Sequence, residues 1–257
     1  MSVLEISNHA ALLSTAQNRR VWSLLVTVFG DLTSDTDRWI SGTLLNRITA
    51  AIGIKPEATR VALHRLRKES WIESKRSGRT STYTLTAAGQ RQTDAARPQI
   101  YSPKNRAGQC WLVIVEPGSP VPTSGAGTLA ISADLLISNN QADITDALSV
   151  ALCAPVPDWI RNRVCDESLF LATQETFITF KKLRTALQNH PPTDPLEIVA
   201  LRVLIVHSWR RIILKAPALP AYIFPPSWAG EDCRQLSAEL LAILPRPSLA
   251  QLEEHLR

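Results

Sequence analysis

The alternation of apolar and polar positions is most informative between Gly53 and Leu85. From Pro56 onward no glycine or proline interrupts the chain until Gly78. Thr59, Ala62, Leu63 and Leu66 fall at i, i+3, i+4 and i+7, the spacing of one helix face. Proline suits the first helical position, where its missing N–H is no loss, so a helix is predicted over Pro56–Lys68, entered through a tight turn at Gly53. The next residues change period. Trp71–Lys75 and Thr80–Leu85 are rich in β-branched or aromatic residues and read as two strands, joined by the turn Arg76-Ser77-Gly78-Arg79.

Upstream, Ser14 or Thr15 is a candidate cap for a helix running to about Phe29, with Leu24, Leu25, Val28 and Phe29 inward and Gly30-Asp31 as its stop. Thr33–Asp37 reads as a polar loop. Trp39–Ile52 reads as a second helix with Leu44, Leu45 and Ile48 inward, and Thr86–Ala96 as a short connecting helix. Helix, helix, turn, helix and β-hairpin follow one another in the order of a winged helix-turn-helix.

Beyond residue 97 the pattern predicts a small α/β unit. Trp111–Val115 is a buried-type strand, Thr128–Ile131 and Asp134–Ser138 are further strands, and Asp143–Leu152 is a helix candidate. Pro155 and Pro157 mark a boundary. The remainder is helical. Asp194-Pro195-Leu196-Glu197 is a helix start, with an Asp cap, proline in first position and Glu three residues after the cap. That helix is predicted to reach about Lys215, followed by helices over Glu231–Leu244 and Ser248–Arg257. The expected class is α+β, mostly α, in three parts: a winged helix over 1–97, an α/β middle over 98–157 and a helical body over 158–257.

Charge sharpens the picture. The chain holds 28 Lys/Arg and 23 Asp/Glu, a net of +5. Residues 1–100 contain 14 basic and 8 acidic side chains, leaving the rest near neutral. A basic module on a neutral body is the electrostatic outline of a nucleic-acid reader. On the helix Pro56–Lys68 the outward face carries Arg60, His64 and Lys68 at four-residue steps, flanked by Arg65 and Arg67, which suits a major groove. Lys75, Arg76 and Arg79 at the hairpin tip would meet phosphates or a minor groove, and Lys55 would meet a phosphate. A solvated surface helix with spare charge is the bland alternative; the basic hairpin that follows weighs against it.

Other chemistry is thinly represented. Cys110, Cys153, Cys165 and Cys233 are widely spaced, with no C-x-x-C pair, and read as reduced, mostly buried thiols of a cytoplasmic protein. No close Cys/His spacing points to a metal, no glycine loop would cradle a phosphate, and no cofactor is expected. Met1–Leu13 reads as a loose arm without the pattern of a signal peptide, and apolar runs are too short to span a bilayer. On the stripe Leu196, Val199, Ala200, Val203, His207, Arg210 and Leu214, an arginine and a histidine lie on an apolar face. Arg210, with His207 and Arg211, either meets an anionic effector or forms an internal ion pair with a carboxylate such as Glu175 or Asp166. The Pro-rich stretch Ala218–Gly230, with Tyr222, Phe224 and Trp228, either seals the bundle or lines a pocket. A hydrolase built on His207 is the enzymatic rival, but no catalytic motif surrounds that residue, and the chain is read as no enzyme. Ligand-independent nucleic-acid binding is the other rival.

Four stretches resemble the PaaX family of bacterial transcriptional repressors, named for control of phenylacetate degradation. They are Leu25–Asp31; Arg60–Leu66 followed by Glu69-Ser70-Trp71; Arg79–Gly89; and Leu201–Arg211 with Leu219-Pro220 and Pro226–Gly230. The last, behind a winged helix, is the most specific. Ser70 departs from the pattern, standing where the family usually has glycine before the tryptophan. The resemblance implies a homodimer on a palindromic double-stranded operator. It also implies a catabolic operon of phenylacetate or a related aromatic compound, and release by an acyl-CoA thioester. Effector contacts would then be sought at Arg202, His207, Arg210, Arg211 and Trp228.

Overall fold

The computed structural model describes residues 13, 21–33, 39–78, 80–105, 108–118, 127–140, 146–153 and 155–256. Helix α1 (Val21–Leu32) is followed by a two-residue strand β1 (Ile40–Ser41), α2 (Gly42–Ala51) and α3 (Pro56–Lys68). A hairpin of β2 (Ile72–Ser77) and β3 (Thr80–Leu85) comes next, then α4 (Ala87–Tyr101). The three strands form one antiparallel sheet in the order β1-β3-β2.

Several boundaries differ from expectation: α4 runs to Tyr101 rather than Ala96, β2 to Ser77 rather than Lys75, and α1 and α2 differ for reasons visible in the fold. Helix α1 does not stop at Gly30: it continues to Leu32, because Asp31 is buried and held by side chains from elsewhere in the fold. Gly30 serves a close approach instead, since a Cβ there would meet Thr93 Cγ2 at 3.2 Å, and its carbonyl accepts from Arg97 at 2.9 Å. The proposed start of α1 at Ser14 or Thr15, and the loop around residues 34–38, lie outside the described residues. Helix α2 begins at Gly42 rather than Trp39, because Ile40 and Ser41 pair with Tyr83 and Thr82 as a third strand. Ser41 then caps the helix, accepting from Leu44 N at 3.0 Å.

Helix α3 has the predicted bounds and buries the predicted four residues, Thr59, Ala62, Leu63 and Leu66. Its exit is a Schellman turn: Trp71 N–H donates to Leu66 O at 2.9 Å and Ser70 N–H to Arg67 O at 3.1 Å. Such a turn puts the residue after the cap in the left-handed region, and Ser70 has φ 57°. The position the family fills with glycine is thus a position where glycine costs no strain.

The middle of the chain is a four-stranded antiparallel sheet of β4 (Trp111–Ile114), β5 (Thr128–Ala130), β6 (Leu135–Ser138) and β7 (Leu148–Ala151), ordered β5-β6-β4-β7. The helix expected over Asp143–Leu152 is not formed in its described part. Residues 148–151 instead complete the sheet, Leu148 facing Ile114 and Val150 facing Leu112 across the ladder. Backbone donors and acceptors on β4 offer partners that an isolated four-residue helical segment would lack. The expected α/β middle is therefore all strand and loop among the described residues.

The rest is helical: α5 (Asp158–Val164), α6 (Glu167–Asn189), α7 (Pro195–Ile213), a 3₁₀ turn (Ala221–Ile223), α8 (Gly230–Ile243) and α9 (Leu249–Glu254). Asp194 caps α7, as the sequence signals, and Ser248 caps α9 in a capping box that the sequence reading did not name. Helix α7 is the axis of the molecule. It packs on α1, α2 and α4 on one side and on α6, α8 and α9 on the other, with Trp209 fully buried. One apolar core consequently runs from Leu24 to Leu252, while Val113, Val115 and Leu136 form a small cluster of their own. No helix among the described residues is long and apolar enough to cross a membrane.

Candidate nucleic-acid interface and ligand cavities

With Thr59, Ala62, Leu63 and Leu66 inward, α3 turns Arg60, His64, Arg67 and Lys68 to solvent, together with Glu57 and Val61. The last two escaped notice in the sequence. Val61 is 66% exposed, an apolar side chain left on a cationic face where a thymine methyl would meet it. Arg65 is drawn off that face by Glu69 at 2.7 Å and by the Trp22 ring at 4.9 Å. Lys55, at the start of α3, is exposed.

The hairpin extends one side of this surface. Lys75 and Arg76 are exposed, Lys75 lying over the Trp39 ring at 4.2 Å. Arg76 Nε donates to Gly78 O at 3.3 Å, and Gly78 takes φ 61°. The tip is therefore closed on itself with its charge outward. Arg79 lies outside the described residues.

The five proposed effector residues do not converge. Arg202 is buried and bound to Asp31 by two parallel bonds, Nε to Oδ2 and Nη2 to Oδ1, each 2.9 Å. Its Nη1 donates to the carbonyls of Leu241 and Leu244, so its donors are occupied and it is withdrawn from the effector list. Asp31 also accepts from Tyr101 Oη at 3.0 Å, and burial together with that carboxylate holds the Tyr101 phenol protonated. The internal ion pair expected on this helix exists, but at Arg202 with Asp31 rather than at Arg210. Glu175 lines a different groove, and Asp166 faces Lys215 at 3.5 Å.

Arg210 sits two turns further along α7. Its Nη1 donates to Ser23 O at 3.3 Å and Thr27 Oγ1 at 3.0 Å. Helices α1 and α7 thus meet antiparallel, with Asp31 against Arg202 and Ser23 with Thr27 against Arg210. His207 Nδ1 lies 3.3 Å from the same Thr27 hydroxyl, which itself bonds Ser23 O at 3.2 Å. That threonine is occupied as a helix-packing group, and no serine or cysteine nucleophile stands in its place. Cys110, Cys165 and Cys233 are buried, which pushes their thiols up to about 11, 11 and 12, so they remain protonated and unreactive. No cluster able to hold a metal occurs among the described residues.

His207 and Arg211 face an open groove between α6 and α7, with Lys215 at its end. Trp228 belongs to a third place. Its ring stacks on Phe224 at 3.9 Å and packs so closely on Gly230 that a Cβ there would overlap it. Its Nε1 donates to Thr173 Oγ1 at 3.1 Å. The stack walls an open pocket where α4, the middle sheet and the helical body meet, with Lys104, Arg234 and Glu231 also on its lining, the last two paired at 3.5 Å.

Residues 20–89 match the PaaX-like protein family, and residues 171–254 match the PaaX-like protein C-terminal domain. The chain is 30% identical to the transcriptional repressor PaaX of Escherichia coli (strain K12), over 90% of this chain and 83% of that protein. A solved structure, the uncharacterized protein Rv0674 from Mycobacterium tuberculosis, is similar over 91% of this chain and 95% of that one, at 16% identity and a TM-score of 0.44. By the extent and identity of these matches, the chain belongs to the PaaX family.

Proposed function

We propose that this protein is a transcriptional repressor that reads duplex DNA with a winged helix-turn-helix formed by α1–α3 and the β1-β3-β2 sheet. The observation that carries the reading is the division of α3 into two faces. Four residues are buried, and the opposite arc presents Arg60, His64, Arg67 and Lys68 to solvent beside a basic hairpin. The E. coli relative is named a transcriptional repressor, so the chain is not an enzyme. Arg60 and His64 reach base edges in the major groove; Lys55, Lys75, Arg76 and Arg79 meet phosphates.

The protein works as a cytoplasmic homodimer on a palindromic operator, its two α3 helices about 34 Å apart or a multiple of that. The operon serves catabolism of phenylacetate or a related aromatic acid, and an acyl-CoA thioester releases the repressor. Support for the thioester comes from family resemblance and from the Phe224–Trp228 cavity, which offers an aromatic wall and two cations. Its location between the basic front and the helical body suits a ligand that changes their relation.

The test is selection of preferred duplexes from random sequence by the wild type and by Arg60→Ala/His64→Ala, repeated with an arylacetyl-CoA, free CoA and the free acid. A two-fold-symmetric site, lost in the double variant and released by the thioester alone, is expected. Failure to enrich any duplex overturns the DNA reading. Enrichment indifferent to every thioester leaves a ligand-independent nucleic-acid binder.

A further inference from the structure

Two arginines of α7 face α1, and α1 provides only one carboxylate. Asp31 neutralises Arg202, whereas Arg210 has a backbone carbonyl and a hydroxyl, both bonded to Nη1. Among the described residues no carboxylate approaches Arg210, and its Nε and Nη2 have no protein partner. Burial also lowers its pKa, as expected for a cation desolvated without a counterion.

Arg210 borders a small pocket walled by α1, α4, α7 and Trp71. Its walls are apolar at Val26, Ala96, Ile100 and Val206. A second cation, Arg97, shares the lining, and no carboxylate does among the described residues. Thr93 also lines it, and its buried Oγ1 has no protein hydrogen-bond partner. A half-buried guanidinium with no facing carboxylate and a buried, unsatisfied hydroxyl thus lie on one largely apolar lining. A carboxylate entering the pocket would find both donors on its wall.

We propose that this cavity is a binding site for a small monoanionic acid with an apolar body, its carboxylate held by Arg210 and Thr93. The site is separate from the Phe224–Trp228 cavity and too small for a coenzyme thioester. It goes beyond the proposed function, because binding here requires no DNA.

Calorimetric titration of the full-length protein with benzoate and hexanoate, and with benzamide as the uncharged control, tests the site. Saturable one-site binding of at least one acid and none of benzamide is expected. Arg210→Gln should weaken it about 10- to 100-fold, the usual worth of a charged hydrogen bond. Thr93→Val should weaken it about 3- to 10-fold while leaving the melting temperature at or above that of the wild type, since it removes an unpaired buried hydroxyl. Ala96→Leu, which fills the pocket, should abolish binding. The proposal is overturned if no acid binds saturably, or if the Thr93 and Ala96 variants bind as the wild type does. Those two variants decide the matter even where Arg210→Gln fails to fold.

Discussion

Helices α3 and α7 each carry basic side chains on one face, Arg60, His64 and Lys68 on the first and Arg202 and Arg210 on the second. Their surroundings are opposite. The α3 charges stand in water and cost the fold almost nothing, so they remain available to a polyanion. On α7, Arg202 is buried and Arg210 is half-buried, so each is partly or wholly cut off from water and gains from a partner. The number of basic residues therefore says little about what a helix does. Access to solvent separates a surface that recognises from one that organises.

Substitutions should divide along the same line. The largest effect is expected at Asp31. Asp31→Ala leaves Arg202 charged, only 8% exposed and without its carboxylate, and should destabilise the protein by about 3–5 kcal/mol in chemical denaturation. A loss below about 1 kcal/mol would mean that Arg202 is solvated after all, and the contrast would fail. Arg60→Ala should leave stability within about 0.5 kcal/mol and weaken operator binding by about 1–3 kcal/mol, with relaxed sequence preference in competition assays. Equal affinity for all duplexes before and after would remove α3 from the groove. Ser70→Gly should stabilise by about 1 kcal/mol, because the left-handed backbone at φ 57° is then free of Cβ strain. Unchanged stability would show that the turn at the end of α3 tolerates serine without cost. Arg76→Ala should have the smallest effect on stability and should weaken all duplexes alike. It would reduce the slope of log affinity against log salt by roughly 0.9. An unaltered slope would take Arg76 off the phosphate backbone.

What the sequence made legible was local. The bounds of α3, the cap at Asp194 and the hairpin around Gly78 all rest on neighbours a few residues apart, and local patterns read those directly. The misread segments answer to distant partners. Ile40-Ser41 became a strand because β3 presents an open edge some forty residues later. Leu148–Ala151 left the helical state for the exposed ladder of β4. The candidate ligand residues scattered for the same reason. Arg202, His207 and Arg210 share a helix, but opposing residues on α1, α6 and the C-terminal loops send them to an ion pair, a groove and a cavity. Asp31, which decides the fate of Arg202, lies 171 positions away in the chain. No spacing rule reaches that far.

Trp71 joins the end of α3 to the start of the hairpin. Its carbonyl accepts from Thr86 N–H at 3.0 Å, and Gly89 approaches so near that a Cβ would sit 2.3 Å from that oxygen. Reading helix and hairpin are in this way bolted to a common post, and the indole of that post forms part of the wall beside Arg210. A displacement of that ring would therefore be passed to α3 and to the hairpin together.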